Sequence, residues 1–228
     1  MIDPALQAKY PQEDIDKAIE LLTYKNVDPL PKTEAANPPI LYVFRHGQTE
    51  DNANFIFSGW RDSPLTEHGR EQALELAPKL KDKKINLLIA SPQIRAVETM
   101  KLAMSLNEMC KNMEIHKDPR IKERSYGVLQ GKSKLEMQLE NPELLKETRR
   151  SYTYKVDKGE SLEMVVTRVF SFCDEIVPLM KAHKINVAVS CHGNSIRGFR
   201  KYFEHLSDDF TAEIETPLAQ DYASYSIK

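Results

Sequence analysis

The sequence of 228 residues lacks a long apolar run, paired cysteines and an excess of charge of one sign. No stretch approaches membrane-spanning length, and the start, Met-Ile-Asp-Pro, lacks the basic segment and apolar stretch of a secretory signal. Cys110, Cys173 and Cys191 are scattered and odd in number, which fits reduced cytoplasmic thiols rather than disulfides or a zinc site. We therefore expect a cytoplasmic chain without a membrane partner.

The charge balance gives no indication of a nucleic-acid partner. Lys and Arg number 32 against 34 Asp and Glu, which leaves a net charge of -2. The composition, 41% hydrophobic and 29% charged, is that of a globular protein, and the length suffices for one well-buried α/β domain. A small anionic ligand would therefore need a locally positive pocket.

Such a pocket is indicated where a predicted strand ends. Residues 40–44 are apolar and mostly aromatic or β-branched, and they follow the breaker at 37–39, which predicts a buried strand of an α/β sheet. Arg45-His46-Gly47 comes directly after it. Ligands of open α/β sheets bind at the carboxyl ends of strands, where an arginine fork suits phosphate oxygens. An imidazole there can act as nucleophile or as general acid and base.

Two further buried strands are predicted at 85–90 and 185–190. The first leads to Pro92, which is typical of the first turn of a helix, and then to Arg95, beside N–H groups that favour anions. Taken alone, Arg95 could equally be a solvated surface arginine. The second strand leads to His192 at the start of another helix. Together the three strand ends predict a phosphate pocket with two imidazoles, formed by Arg45, His46, Arg95 and His192.

The remaining elements fit the same α/β pattern. Thr66 is expected to cap a helix over 67–81 that buries Leu74 and Leu76, and Pro78 predicts a kink or an early end in it. A loop over 118–132 contains Glu123, a candidate general acid; its alternative role is a salt bridge with a neighbouring arginine, Arg120 or Arg124. The other predicted elements are strands at 113–117 and 222–227 and a long helix over 159–181.

Residues 1–38 are predicted to form an extension, and 39–228 the main domain. A helix is expected from Gln12 to Tyr24, with Ile15, Ile19 and Leu22 on one face, before the breaker at 28–31. We find no catalytic constellation in the extension. We expect it to dock on the domain or on a partner subunit, and whether the chain forms a homo-oligomer is left open.

The pocket residues allow a complete phosphoryl transfer. Neutral His46 would attack phosphorus, and Glu123 would protonate the leaving oxygen. The cationic side chains and His192 would stabilise charge on the equatorial oxygens, so that no metal is required.

A rival hypothesis uses Cys191 as the nucleophile. Cys191-x5-Arg197 has the spacing of cysteine-dependent phosphatases, but Ser190 stands where those enzymes have histidine, and Arg45, His46 and Arg95 stay unexplained. A phosphate-sensing module without catalysis is disfavoured, because no chemical group is missing.

Several motifs in a fixed order resemble the phosphoglycerate mutase-like histidine phosphatase superfamily, and within it the cofactor-dependent phosphoglycerate mutases. The resemblance covers about residues 40–227. It is carried by Arg45-His46-Gly47, Phe57-Ser58-Gly59-Trp60, Ser91 to Thr99, Glu123 to Gly127 and His192-Gly193-Asn194-Ser195. It implies a three-layer α/β/α sandwich with a mostly parallel central sheet.

The resemblance also implies a role for each site residue. His46 would be the phosphorylated nucleophile and Glu123 the proton donor, with Arg45, Arg95 and His192 as the phosphate clamp. Further substrate-binding residues would be Asn52, Ser58 and Gly59 around the phosphate, Tyr126, Lys134, Arg149 and Arg150 around the substrate carboxylate and second phosphate, and Gly193 and Asn194. The substrate would be a small phosphorylated metabolite and 2,3-bisphosphoglycerate the phosphoryl primer, with no metal.

The chain departs from typical mutases in ways that favour hydrolysis. Gln48-Thr49 is more typical of phosphatases, and Ser125 stands where mutases usually have histidine. The segment between Arg150 and Gly159 is short, and the sequence ends at Lys228 without a tail to keep water from the site. We therefore expect interconversion of 3-phosphoglycerate and 2-phosphoglycerate in glycolysis and gluconeogenesis, with appreciable phosphatase activity. The alternative is a dedicated phosphatase acting on a small phosphorylated metabolite.

Overall fold

A computed structural model describes residues 4–23 and 29–228. Its centre is a five-stranded sheet in the order β3-β2-β4-β1-β5. Neighbouring strands pair in parallel except β5, which runs antiparallel to β1 at one edge. The strands are β1 (Ile40–Arg45), β2 (Leu87–Ala90), β3 (Ile115–Lys117), β4 (Val187–Cys191) and β5 (Tyr222–Ser226).

Helices cover both faces of this sheet. The α-helices are α1 (Pro4–Lys9), α2 (Gln12–Leu22), α3 (Glu50–Ala53), α4 (Glu67–Leu80), α5 (Ile94–Ala103), α6 (Lys134–Glu140), α7 (Pro142–Arg150), α8 (Leu162–His183), α9 (Gly193–Glu204) and α10 (Asp208–Glu213). All six residues of β1 are buried, and they alternate between the two layers. Leu41 and Val43 join the core formed with α8 and α9, whereas Tyr42 and Phe44 join the core formed with α4 and α5. The predicted three-layer α/β/α sandwich with a mostly parallel sheet is confirmed.

Local details differ from the sequence prediction where side-chain contacts decide them. The Thr66 hydroxyl caps α4, and the helix continues through Pro78 to Leu80 rather than ending early. Leu74 is 46% exposed, because the buried face of α4 follows Ala73, Leu76, Ala77 and Leu80 at helical spacing. The predicted burial of Leu74 is therefore wrong.

The start of α5 is also later than expected. Gln93, with extended backbone, is the N-cap, and Pro92 lies before the helix rather than in its first turn. The side chain of Gln93 donates to the Gly59 carbonyl at 2.9 Å and accepts from the Glu123 amide at 2.9 Å. These two contacts hold the residue outside the helix, and Arg95 becomes the second residue of α5.

The N-terminal segment contacts the domain at two places. Helix α2 packs against α6, with Ile15 and Leu22 buried and Ile19 only half-buried. The predicted end of this helix at Tyr24 and the breaker residue Asp28 lie outside the described residues. Further along, Thr33 donates its amide to the Ser224 carbonyl at 2.9 Å and so covers part of the free edge of β5. Among the helices of residues 4–23 and 29–228, none is both long and apolar enough to cross a membrane.

Candidate active site

The carboxyl ends of three adjacent parallel strands meet at one edge of the sheet. Strand β1 ends at Arg45, directly before His46, and β4 ends directly before His192. Strand β2 leads to Arg95 in the first turn of α5. Because β4 lies between β1 and β2, these four residues meet in one place, as their positions in the sequence predict.

His46 is held in the tautomer that a nucleophile needs. Its ring nitrogen Nδ1 lies 2.7 Å from the Gly47 carbonyl oxygen, which can only accept, so Nδ1 carries the proton. The other nitrogen, Nε2, therefore carries the unprotonated lone pair, which accepts from Arg95 Nε at 3.3 Å. Burial, then Arg95 and Arg45, lower the pKa of His46 well below 6.5. The imidazole is thus neutral at physiological pH.

Arg95 is a fixed internal cation rather than a surface residue. Only 1% of it is exposed, so the alternative of a solvated arginine is wrong. Its two terminal nitrogens donate to the carbonyls of Gly59 and Arg61, each at 2.9 Å. Burial lowers the pKa of Arg95 to about 10, which leaves it charged at neutral pH. The loop that contains Ser58 and Gly59 thus serves as the support for this guanidinium.

His192 is an imidazole with unused hydrogen-bonding capacity. Its ring centroid lies 5.0 Å from that of His46, and the residue is fully buried. Within the described part of the chain, neither ring nitrogen has a hydrogen-bond partner. Burial, then Arg95 and His46, lower the pKa of His192 well below 6.5. Since an unsatisfied buried polar group is costly, the site favours a ligand whose oxygen accepts from this ring.

Glu123 supplies a carboxylate beside the two histidines. Its Oε1 accepts from Asn194 Nδ2 at 2.8 Å and from the Arg124 amide at 2.7 Å. The proposed alternative, a salt bridge with a nearby arginine, is wrong. Arg120 pairs with Asp118 and Glu175, and the Arg124 guanidinium donates to three backbone carbonyls. Glu123 therefore remains available to the pocket.

A single pocket brings the predicted site residues together. The sequence-predicted residues that line it are Arg45, His46, Asn52, Ser58, Gly59, Arg95, Glu123, Tyr126, Lys134, Arg149, Arg150, Gly193 and Asn194. His192, also predicted, is fully buried; its ring centroid lies 5.0 Å from that of His46, and one of its ring nitrogens lies within 4.8 Å of ligand atoms of His46 and Glu123. Three more lining residues, Arg197, Glu215 and Thr216, were not predicted to bind substrate.

Besides the clamp around His46, further cationic side chains line the same pocket. We call Lys134, Arg149 and Arg150 the distal cations. Lys134 is the first residue of α6, and its ammonium donates to the Ile56 carbonyl at 2.7 Å. Arg149 and Arg150 are the last two residues of α7. Arg150 forms an ion pair with Glu215.

Gln93 and Glu215 contribute to the site, although the sequence did not predict either of them as a site residue. Gln93 ties the Gly59 loop to Glu123, and its place two residues before Arg95, after a buried strand, could have suggested a site role. Glu215 lies between α10 and β5, outside any recognised motif, and no sequence signal marks it.

The donor set suits an anion better than a metal ion. His46, Glu123 and His192 each offer a ligand atom, and these atoms lie within 4.8 Å of one another. However, the charged Arg95 guanidinium lies 3.3 Å from His46 Nε2, where it would repel a cation.

The cysteine hypothesis is wrong in this structure. Cys191 is fully buried in β4, and burial raises the pKa of its thiol well above 9. A nucleophilic cysteine requires the opposite shift. The Arg197 guanidinium instead forms a structural hydrogen bond, because its Nε donates to the Ile214 carbonyl at 2.9 Å.

The fold and the pocket thus define an α/β enzyme with a buried, neutral histidine in a cationic cavity. The family model for the histidine phosphatase superfamily, branch 1, matches residues 41–227, and the chain belongs to this superfamily. The resemblance carried by the motifs is confirmed, and the molecule is an enzyme of the mutase and phosphatase group.

The chain is similar to named proteins in sequence and to a solved structure in fold. The chain is similar to a 2,3-bisphosphoglycerate-dependent phosphoglycerate mutase of Cytophaga hutchinsonii, with 35% identity over 78% of this chain and 83% of that one. A protein of the same name from Chlamydia trachomatis is 31% identical over 79% of this chain and 91% of its own length. A solved mycobacterial glucosyl-3-phosphoglycerate phosphatase has a TM-score of 0.71, covering 82% of this chain and 92% of that one. Its identity of 24% makes this a likeness of fold alone.

Proposed function

We propose that this enzyme interconverts 3-phosphoglycerate and 2-phosphoglycerate through a phosphohistidine at His46, primed by 2,3-bisphosphoglycerate. The observation that carries the proposal is the pair of cationic regions in one pocket. The clamp surrounds His46, and the distal cations line the same cavity. Curated relatives of this name at 31% and 35% identity support the assignment.

The geometry supports each step of the transfer. The lone pair of His46 Nε2 attacks phosphorus while Gly47 holds the proton on Nδ1. Arg45, Arg95 and His192 stabilise charge on the equatorial oxygens. The Glu123 carboxyl, within 4.8 Å of the histidine nitrogens, gives a proton to the leaving oxygen and takes one back in the reverse transfer.

A mutase needs the distal cations, whereas hydrolysis alone does not. After the first transfer the bisphosphorylated intermediate must stay bound while it reorients. The end that is not reacting then needs its own cationic contacts, and the distal cations can provide them. Tyr126 lines the same region, and its hydroxyl lies 3.4 Å from Asn194 Nδ2.

One observation favours the second candidate, a dedicated phosphatase for a small phosphorylated metabolite. Arg150 already has an internal anionic partner, Glu215. Because Arg150 is paired with Glu215, the distal cations bind the second anionic group of a substrate less strongly than they would without that pair. Such a pocket would also accept substrates with only one phosphate.

Product analysis separates the two candidates. The enzyme is incubated with 3-phosphoglycerate, with and without a catalytic amount of 2,3-bisphosphoglycerate, and products are followed by phosphorus NMR. We expect 2-phosphoglycerate to form faster with the primer, accompanied by slower release of inorganic phosphate. Phosphate release without any 2-phosphoglycerate in primed reactions would establish the phosphatase instead.

A further inference from the structure

One short segment of the chain binds three arginines of the pocket. Residues 214–216, between α10 and β5, present two backbone carbonyls and one carboxylate. The Ile214 carbonyl accepts from Arg197 Nε at 2.9 Å, and the Thr216 carbonyl accepts from Arg45 at 2.8 Å. Glu215, between them, forms the ion pair with Arg150. The same segment therefore contacts both the phosphate clamp and the distal cations.

The partner of Arg150 is a charged carboxylate, whereas the partners of Arg197 and Arg45 are neutral backbone carbonyls. A carbonyl leaves the charge of its arginine in place, whereas the Glu215 carboxylate neutralises the charge of Arg150. The pair is partly shielded from solvent, with side-chain exposures of 26% for Arg150 and 19% for Glu215. Shielding strengthens both the attraction between the two and the repulsion between Glu215 and any other anion. Glu215 also lines the cavity that the substrate would occupy.

We propose that Glu215 is a specificity-determining residue: an internal anion that Arg150 exchanges for the distal anionic group of the substrate. A ligand whose only anionic group is one phosphate leaves the ion pair intact. A ligand that carries a carboxylate or a second phosphate in addition must displace Glu215 from Arg150. Its binding is therefore weakened by the free energy of the Arg150–Glu215 ion pair. This inference rests on the proposed function only for the nature of the distal group.

Direct binding tests the exchange without requiring turnover. Dissociation constants of 3-phosphoglycerate and of inorganic phosphate are measured by calorimetry for wild type and Glu215→Gln. Since a partly exposed ion pair contributes a modest free energy, we expect 3-phosphoglycerate to bind about three- to tenfold more tightly to the variant. Inorganic phosphate, which has no second anionic group to displace Glu215, should change by less than about twofold on the same scale.

A matched control removes the same charge nearby. Glu213 is exposed, and its contact with Arg150 is through its backbone carbonyl, which the substitution keeps, so Glu213→Gln should leave both dissociation constants unchanged. In an Arg150→Gln background, Glu215→Gln should tighten 3-phosphoglycerate binding less than it does in wild type, because the competing pair is already absent and only the direct repulsion by Glu215 is removed. Thermal unfolding of each variant establishes that it is folded.

Two results would overturn the inference. If Glu215→Gln leaves 3-phosphoglycerate binding unchanged or weaker, Glu215 orients Arg150 rather than competing for it. If both ligands tighten equally, the effect is a general change in pocket charge. The inference does not depend on isomerase activity. If Glu215→Gln binds 3-phosphoglycerate selectively more tightly, while the enzyme releases phosphate and forms no 2-phosphoglycerate, Glu215 is still the competitor for Arg150, in a phosphatase.

Discussion

Arg95 donates its Nε to Nε2 of His46 at 3.3 Å, so a buried cation lies beside the atom proposed to attack phosphorus. The cation disfavours protonation of the imidazole, which preserves the lone pair. It also lies where the charge of an incoming phosphate would be stabilised. One contact thus favours both the neutral nucleophile and the binding of its anionic partner.

We predict that the covalent phosphoenzyme forms on His46. Incubation with radiolabelled 2,3-bisphosphoglycerate should give an acid-labile, alkali-stable label, and His46→Ala should abolish both label and turnover. Cys191→Ala should retain both, because this thiol is buried with a raised pKa. Normal labelling of the histidine variant together with loss of labelling in the cysteine variant would contradict the assignment.

We predict that catalysis does not depend on a metal ion, because arginines supply the charge that a metal would provide. Prolonged treatment with a chelator should leave the isomerisation rate unchanged, and vanadate should inhibit. A chelated enzyme that loses activity and regains it with magnesium or manganese would refute this prediction.

Gln93 should be needed to position the catalytic groups. Gln93→Leu keeps the approximate size but leaves the Glu123 amide and the Gly59 carbonyl without this partner. Each hydrogen bond is worth about 1 kcal/mol. If the transition state is destabilised by the loss of both, kcat/KM falls by about tenfold or more. Gln93→Glu retains an acceptor for the Glu123 amide and should lose less. Equal activity of wild type and the leucine variant would exclude a positioning role.

The two buried histidines should make the protein less stable in mild acid. Their pKa values in the folded state lie well below 6.5, so below pH 6.5 the unfolded chain binds protons that the folded one does not. The free energy of unfolding therefore falls with falling pH, by about 1 kcal/mol per histidine between pH 7 and 5.5. Urea unfolding of wild type and His192→Gln at both pH values measures this. The variant should show the smaller decrease; an identical decrease would contradict the prediction.

The N-terminal helix should contribute to the stability of the pocket wall. Ile15 is fully buried in a cluster with Phe57 and Leu135, against which the pocket residue Tyr126 packs, and the Lys134 ammonium lies 5.4 Å from the Phe57 ring centroid. Ile15→Ala should lower the free energy of unfolding by about 2–5 kcal/mol, the usual effect of such a core truncation. Ile19→Ala, at a half-buried position of the same helix, should cost clearly less. Equal losses would mean that α2 is not anchored as described.

The phosphate end of the site could be predicted from sequence because strand ends follow a simple rule. Apolar runs locate the strands, and parallel neighbours must bring Arg45, His46, Arg95 and His192 to one edge. The position of Glu215 depends instead on where a connection between α10 and β5 passes α7, which no local pattern encodes. Gln93 and Pro92 illustrate a second limit, since side-chain contacts across the pocket, rather than local preference, decide where α5 begins.

During synthesis, β1 leaves the ribosome long before either of its neighbours. Ile40, its first residue, hydrogen-bonds to Asn186, which lies 146 positions further along, and β5 comes later still. Until those partners arrive, the apolar segment that precedes His46 has nothing to pair with, and such segments associate readily with other chains. His46 is therefore synthesised well before the strands that fix it in place. We expect premature termination upstream of β4 to yield an aggregating chain rather than a partly active one.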